Sequence, residues 1–265
     1  MLFRGTYQGS SFFELLQCDY GQLLPSFSTQ AGGDVGARVP HGTTVLAFRT
    51  SAGVVVAGDR LATEGHRVAS RDVEKVFATD QYSLMAISGA AGPCIEMARI
   101  LSVELEHYEK IEGEPLVLDG KANKLSQMIR QNLPAAMQGL VVVPLFAGYD
   151  TRRKTGRLWK FDITGGRYEE AEFDATGSGG LYARESLKKS WNPDLDRGGA
   201  ILAAIRALTD AADEDRATGG VDLARGIFPL VKLCTEEGMS NASEDEIASA
   251  YDAVLAERSS GGSAR

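Results

Sequence analysis

Between Thr43 and Gly58 the chain carries two β-branched-rich runs, Thr43 to Thr50 and Gly53 to Gly58, separated only by Ser51-Ala52. A two-residue connection joins strands as an antiparallel hairpin, because a parallel pair needs a crossover of about a dozen residues. Lys75 to Ala78 and Tyr82 to Ser88, flanking Thr79-Asp80-Gln81, repeat the arrangement. Helical periodicity comes next: Cys94, Met97, Ala98, Leu101, Leu105 and Tyr108 recur at spacings of three and four. A second helix runs through Leu125, Met128, Ile129 and Leu133, with Pro134 bending or ending it. Strands are expected at Val141 to Tyr149, Arg157 to Ile163, Tyr168 to Ala175 and Pro229 to Thr235, and helices at Gly180 to Lys189 and Arg197 to Asp213. The last helix opens on the capping-box pattern Ser243-Glu244-Asp245-Glu246 and is expected to bury Ile247, Tyr251, Val254 and Leu255. Hairpins with helices grouped between them predict an α+β layered fold, not a parallel doubly wound sheet.

Residues 1–42 differ from the rest of the chain. They are rich in Gly, Ser and Gln, with one apolar cluster at Phe12-Phe13-Glu14-Leu15-Leu16, and the stretch from Thr29 to Gly42 reads as a flexible linker. The net charge of −8, with Lys and Arg scattered, argues against a nucleic-acid partner. Cys18, Cys94 and Cys234 are odd in number and widely spaced, and His41, His66 and His107 form no ligand set. Neither a disulfide framework nor a metal site is expected, which fits a reducing cytoplasm. No targeting segment is visible at Met1-Leu2-Phe3-Arg4-Gly5, and the longest apolar run, Leu140 to Gly148, is too short to span a membrane.

The junction Gly42-Thr43-Thr44 carries the chemistry. Cutting before Thr43 would put a hydroxyl nucleophile and a free α-amine on one residue, a self-contained variant of the triad. That amine has a reference pKa of about 7.7–8.0, and a nearby ammonium lowers it and raises the neutral, basic fraction. Lys75 is the candidate ammonium, and Asp59, at the end of the second strand, is the candidate partner that fixes it. Each residue has a plainer reading. Thr43 would be a good strand former, Asp59 a turn residue, and Lys75 a solvated residue paired with Glu74 or Asp72. The order and spacing of the three distinguish the two readings.

With these residues the chain resembles a proteasome β subunit of the actinobacterial type, an N-terminal-nucleophile hydrolase. Counted without gaps from Thr43, the family's acidic residue falls on Asp59 and its lysine on Lys75. Its oxyanion-hole glycine falls on Gly89, within Ile87-Ser88-Gly89-Ala90-Ala91-Gly92. The family's Gly-Ser-Gly matches Gly177-Ser178-Gly179, and its Asp-x-x-Ser/Thr-Gly-Gly matches Asp215-Arg216-Ala217-Thr218-Gly219-Gly220. The resemblance runs from about Thr43 to Glu257. It implies a four-layer αββα sandwich of two antiparallel sheets between helix layers. It also implies Thr43 as nucleophile, Lys75 and Asp59 tuning it, Gly89 N–H as an oxyanion donor, and Ser178, Asp215 and Thr218 as supporting residues. Ala62, Val73, Ile87, Ala91 and Ile95 fall where the family lines the pocket for the residue before the cut, and Thr63 where its backbone pairs with substrate. An apolar pocket of that kind predicts hydrophobic preference.

The same resemblance implies that residues 1–42 are a propeptide, removed when Thr43 Oγ attacks the Gly42 carbonyl, and that residues 43–265 form the catalytic domain. It implies homo-heptameric β rings stacked with α-subunit rings, no cofactor, and protein substrates delivered by an ATPase ring and tagged by a ubiquitin-like modifier. Two other readings stand beside it. One is a catalytically silent ring subunit, although such members have lost the Thr or Lys that this chain keeps. The other is an HslV-type or small-molecule N-terminal-nucleophile hydrolase, although these lack the long leader or the full motif order.

Overall fold

The computed structural model describes residues 42–65 and 67–262. Residues 1–41, where the linker and apolar-cluster expectations fall, lie outside the described residues.

The first expected hairpin forms β1 (Thr44–Thr50) and β2 (Gly53–Gly58), paired antiparallel from Val45–Gly58 to Thr50–Gly53. A small hairpin that sequence patterning did not predict comes after it, β3 (Ala62–Glu64) with β4 (Arg67–Ser70). Next come β5 (Val76–Asp80), β6 (Ser83–Ala86), α1 (Ala91–Glu112), α2 (Leu118–Gln131) and the single turn α3 (Leu133–Ala136). Of the two outcomes expected at Pro134, the helix ends: α2 stops at Gln131, and Pro134 sits in the first turn of α3, where a missing N–H costs no helical bond. The chain continues through β7 (Leu145–Asp150), β8 (Thr155–Phe161), β9 (Arg167–Glu170), β10 (Phe173–Gly177), α4 (Gly180–Ser190) and α5 (Arg197–Glu214). It closes with β11 (Leu230–Thr235), β12 (Gly238–Asn241) and α6 (Glu244–Gly262).

Two five-stranded sheets result, in the orders β10-β1-β2-β11-β12 and β5-β6-β7-β8-β9, with every pairing antiparallel. They stack face to face. Val45, Ala47, Val54 and Val56 of the first sheet meet Val76, Leu84, Ala86, Leu145, Ala147 and Leu158 of the second. The alternate residues of β1 and β2, Leu46, Phe48, Val55 and Ala57, point the other way and pack on α4, α5 and α6 through Leu187, Ile201, Ile205, Leu208 and Ile247. On the far side, Met85, Phe146 and Trp159 pack on α1 and α2 through Met97, Leu101, Leu105, Leu125 and Ile129. Strands buried on both faces have no polar face, which is why β1 and β2 read as continuous apolar runs. The four layers expected from the family resemblance are present.

Two expectations need correction. Tyr168 to Ala175 is not one strand: β9 belongs to the second sheet and β10 to the first, and the chain changes layer at Ala171-Glu172. Leu255, expected in the core, is 38% exposed, because α6 meets α5 along a narrower stripe of Ile247, Ala250 and Val254. The Ser243 capping box does form: Glu246 N–H donates to Ser243 Oγ at 3.2 Å and Ser243 N–H to Glu246 Oε2 at 2.7 Å.

Candidate active site

The head of β1, the end of β2 and the entry to β5 meet at one corner of the sheet stack. Asp59 comes directly after β2, and its carboxylate is fully buried. Oδ1 accepts the Thr44 N–H at 2.8 Å and Lys75 Nζ at 2.6 Å, while Oδ2 accepts the Leu61 N–H at 3.0 Å and the Gly219 N–H at 2.8 Å. A carboxylate taken out of water is stable only when paired and hydrogen-bonded in this way. Lys75 is 1% exposed and uses all three ammonium protons, on Asp59 Oδ1, on the Leu61 carbonyl at 2.5 Å and on the Gly42 carbonyl at 3.1 Å. Burial pulls the Lys75 pKa below its ordinary value, and the carboxylates of Asp59 and Asp215 offset only part of that. The surface pairing considered for Lys75 is not made: Glu74 pairs with Lys232, and Asp72 with Arg60.

Thr43 is buried, and its Oγ1 donates to the Gly42 carbonyl at 2.8 Å, the same oxygen that Lys75 reaches. Gly42 adopts φ +94°, and a Cβ there would come within 2.4 Å of Thr63 Oγ1 and 3.0 Å of Ala217 Cβ. Both features favour glycine at that position. The Thr43 carbonyl is held by the Ser178 N–H at 2.8 Å, with Ser178 Oγ at 3.4 Å.

Asp215 caps the end of α5. Burial pushes its carboxyl up, but hydrogen bonds from Ser178, from Thr218 (Oγ1 to Oδ2, 2.6 Å) and from the Ala217 N–H, with the Lys75 charge, hold it below the usual carboxylate range. Gly89, at φ +116°, runs so close to Val141 that a Cβ would lie 2.1 Å from its carbonyl oxygen. Its bridge to Val142 is made by its neighbours, Ala90 N–H to Val141 and Val143 N–H to Ser88, which leaves the Gly89 N–H without an acceptor among the described residues.

A small cleft opens beside Thr43. It is lined by Gly42, Thr43, Lys75, Ser88 and Gly89 together with Ala62, Val73, Ile87, Ala91 and Cys94. Four of the five predicted pocket residues are therefore here. Ile95 is not; it packs against the core beneath α1 and α2. Cys94 takes its place one residue earlier, its Sγ 3.4 Å from the Ser88 carbonyl and its pKa pushed up to about 12 by burial. Thr63 lies beside Gly42 and outside the cleft lining. Sequence reading missed Cys94, Thr44, and the backbone of Leu61 and Gly219. Cys94 was detectable, since it sits three residues after Ala91 on one helix face. The backbone donors carry no sequence signal beyond the Asp-x-x-Thr-Gly-Gly motif. Among the described residues no helix is long and apolar enough to cross a membrane.

Two antiparallel sheets stacked between helix layers, with a threonine at the head of a central strand, define the fold of the N-terminal-nucleophile hydrolases. A family model described as "Proteasome subunit" matches residues 39–224. A protein of Acidimicrobium ferrooxidans named "Proteasome subunit beta" is 54% identical, covering 94% of this chain and 92% of that one. Proteins of the same name from Rhodococcus opacus (51% identical; 97% of this chain and 92% of that one covered) and Acidothermus cellulolyticus (49%; 94% and 87%) are also similar. The chain belongs to the proteasome β-subunit family.

Proposed function

We propose that this chain is a threonine endopeptidase, made as a precursor and activated by cleavage between Gly42 and Thr43. The observation that carries the reading is the convergence of Thr43 Oγ1 and Lys75 Nζ on one carbonyl oxygen, that of Gly42. In activation, Thr43 Oγ attacks the Gly42 carbonyl carbon while Lys75 Nζ donates to the oxygen on which charge develops. The C–N bond then breaks, the hydroxyl proton ends on the departing Thr43 nitrogen, and Gly42 is left as an ester on Oγ. Water hydrolyses the ester, releasing residues 1–42 with a Gly42 carboxylate and restoring the Thr43 hydroxyl beside the primary amine that C–N cleavage freed. In peptide cleavage that amine takes the Oγ proton as general base, with Lys75 held by Asp59 beside it to keep its pKa low. Gly89 lines the same cleft, its N–H has no acceptor among the described residues, and it supplies an oxyanion donor. The side chain before the cut enters the apolar cleft of Ala62, Val73, Ile87 and Ala91.

For assembly, too, the family is the guide. We propose homo-heptameric β rings stacked with α-subunit rings in the cytoplasm, with unfolded proteins delivered by an ATPase ring, tagged by a ubiquitin-like modifier. Intact-mass measurement of the purified assembly, with hydrolysis of a fluorogenic peptide, tests the reading. The mature chain is expected to begin at Thr43, and Thr43→Ala to retain residues 1–42 and cleave nothing. An active Thr43→Ala assembly would refute the proposal. A silent ring subunit would keep residues 1–42 in the unsubstituted protein too.

A further inference from the structure

Thr44, the residue after the nucleophile, has every polar group engaged, and its partners come from both halves of the site. Its N–H donates at 2.8 Å to the Asp59 oxygen that pairs with Lys75, and its carbonyl accepts the Asp59 N–H at 3.0 Å. Its side chain is fully buried, with Oγ1 2.6 Å from Thr218 Oγ1 and 3.0 Å from the Gly179 nitrogen. Proton counting sets the direction of these bonds. Thr218 gives its single hydroxyl proton to Asp215 Oδ2, so Thr44 must donate to Thr218 and accept from Gly179. A one-way chain of hydrogen bonds therefore runs from the Gly179 N–H through Thr44 and Thr218 to Asp215, the carboxylate that also binds Ser178.

We propose that the Thr44 hydroxyl is a positioning group, which locks the Thr43 end of β1 to the Asp215–Ser178–Thr218 group on the facing loops. The inference rests on the threonine-protease reading above. Once Gly42 is cut away, Thr43 is a chain terminus with one covalent neighbour, and an unanchored terminal residue frays. The Ser178 N–H holds its carbonyl at 2.8 Å, but Thr44 is the covalent neighbour through which the nucleophile is aimed. A methyl in place of the hydroxyl would keep the shape of the side chain. It would leave the buried Gly179 N–H without its acceptor and Thr218 without its donor.

The test compares Thr44→Val with Thr44→Ser in the full chain, purified in its native assembly. Thr44→Val is expected to lower kcat for a fluorogenic peptide by about tenfold to a hundredfold with KM little changed, because the pocket walls are untouched. Removal of residues 1–42 should slow in parallel, and Thr44→Ser should restore most of both rates. A fold-only role for the residue would not produce rescue by the bare hydroxyl. Combining Thr44→Val with Thr218→Val should cost little more than Thr218→Val alone, since the two hydroxyls act as one chain. Wild-type kcat in Thr44→Val, or equal loss in Thr44→Val and Thr44→Ser, overturns the proposal. If Thr44→Val does not assemble, Thr44→Ala against Thr44→Ser isolates the same hydroxyl, and equal kcat in those two is equally fatal. An unsubstituted assembly that keeps residues 1–42 and cleaves nothing brings down the protease reading and this inference together. An active wild type with an indifferent Thr44→Val removes the positioning role alone.

Discussion

Replacing Lys75 by Met separates what the lysine does for the fold from what it does for the reaction. The methionine fills most of the lysine's volume, so the cavity penalty is small and the lost interactions dominate. Three bonds disappear, to Asp59, to the Leu61 carbonyl and to the Gly42 carbonyl. Stripping one partner from a buried ion pair costs about 3–5 kcal/mol. Asp59 keeps three backbone donors, from Thr44, Leu61 and Gly219, which places the cost at the lower end, about 3 kcal/mol. The chemical loss is separate. The ammonium lies 3.1 Å from the Gly42 carbonyl oxygen, at the bond proposed to be cut, and removing one such donor lowers a rate by about a hundredfold to a thousandfold. The assay tracks freshly made full-length chain by intact mass, timing the loss of residues 1–42, with native size and thermal melting of the same samples. A folded, assembled Lys75→Met protein that processes at the wild-type rate would refute the role given to the Lys75–Gly42 contact. Slow processing in an assembled ring with a lowered melting temperature is the expected pattern.

Gly42→Ala should also slow processing, by about fivefold to thirtyfold, since an alanine at φ +94° is strained by roughly 1–2 kcal/mol and its Cβ meets Thr63 Oγ1 and Ala217. The same mass time course checks it, and an unchanged rate would show that the observed Gly42 conformation is not the reactive one. Far from the site, Arg197 and the Ser243 N–H hold the Glu246 carboxyl down from 4.5 to about 2. A depressed folded pKa contributes stability that is complete above 4.5 and is lost as pH falls towards about 2, so Glu246→Gln should flatten the melting temperature against pH in that window. Melting curves with the same acid slope for both proteins would contradict this.

Most of the layer architecture was legible in the chain because local patterns set it. The hairpin at Ser51-Ala52, the helix through Cys94 to Leu105 and the Ser243 capping box each depend on residues a few positions apart, and each stands where periodicity puts it. Motif order likewise led to Thr43, Asp59, Lys75, Ser178, Asp215 and Thr218, which the fold brings to one corner. Tertiary structure alone decided the rest. Strand propensity cannot signal a change of sheet, so β9 and β10 read as one run although they lie in different layers. Whether Ile95 or Cys94 faces the cleft depends on the rotation of α1 about its axis, which its packing on the second sheet sets. The strongest case is Lys75. Its neighbours in sequence offered Glu74 and Asp72 as partners, and only the stacking of the two sheets removes water from it and leaves Asp59, Leu61 and Gly42 as its acceptors. Residue order sets which chemical groups are available. The approach of residues far apart in the chain, in a place without solvent, decided which of them bond to each other.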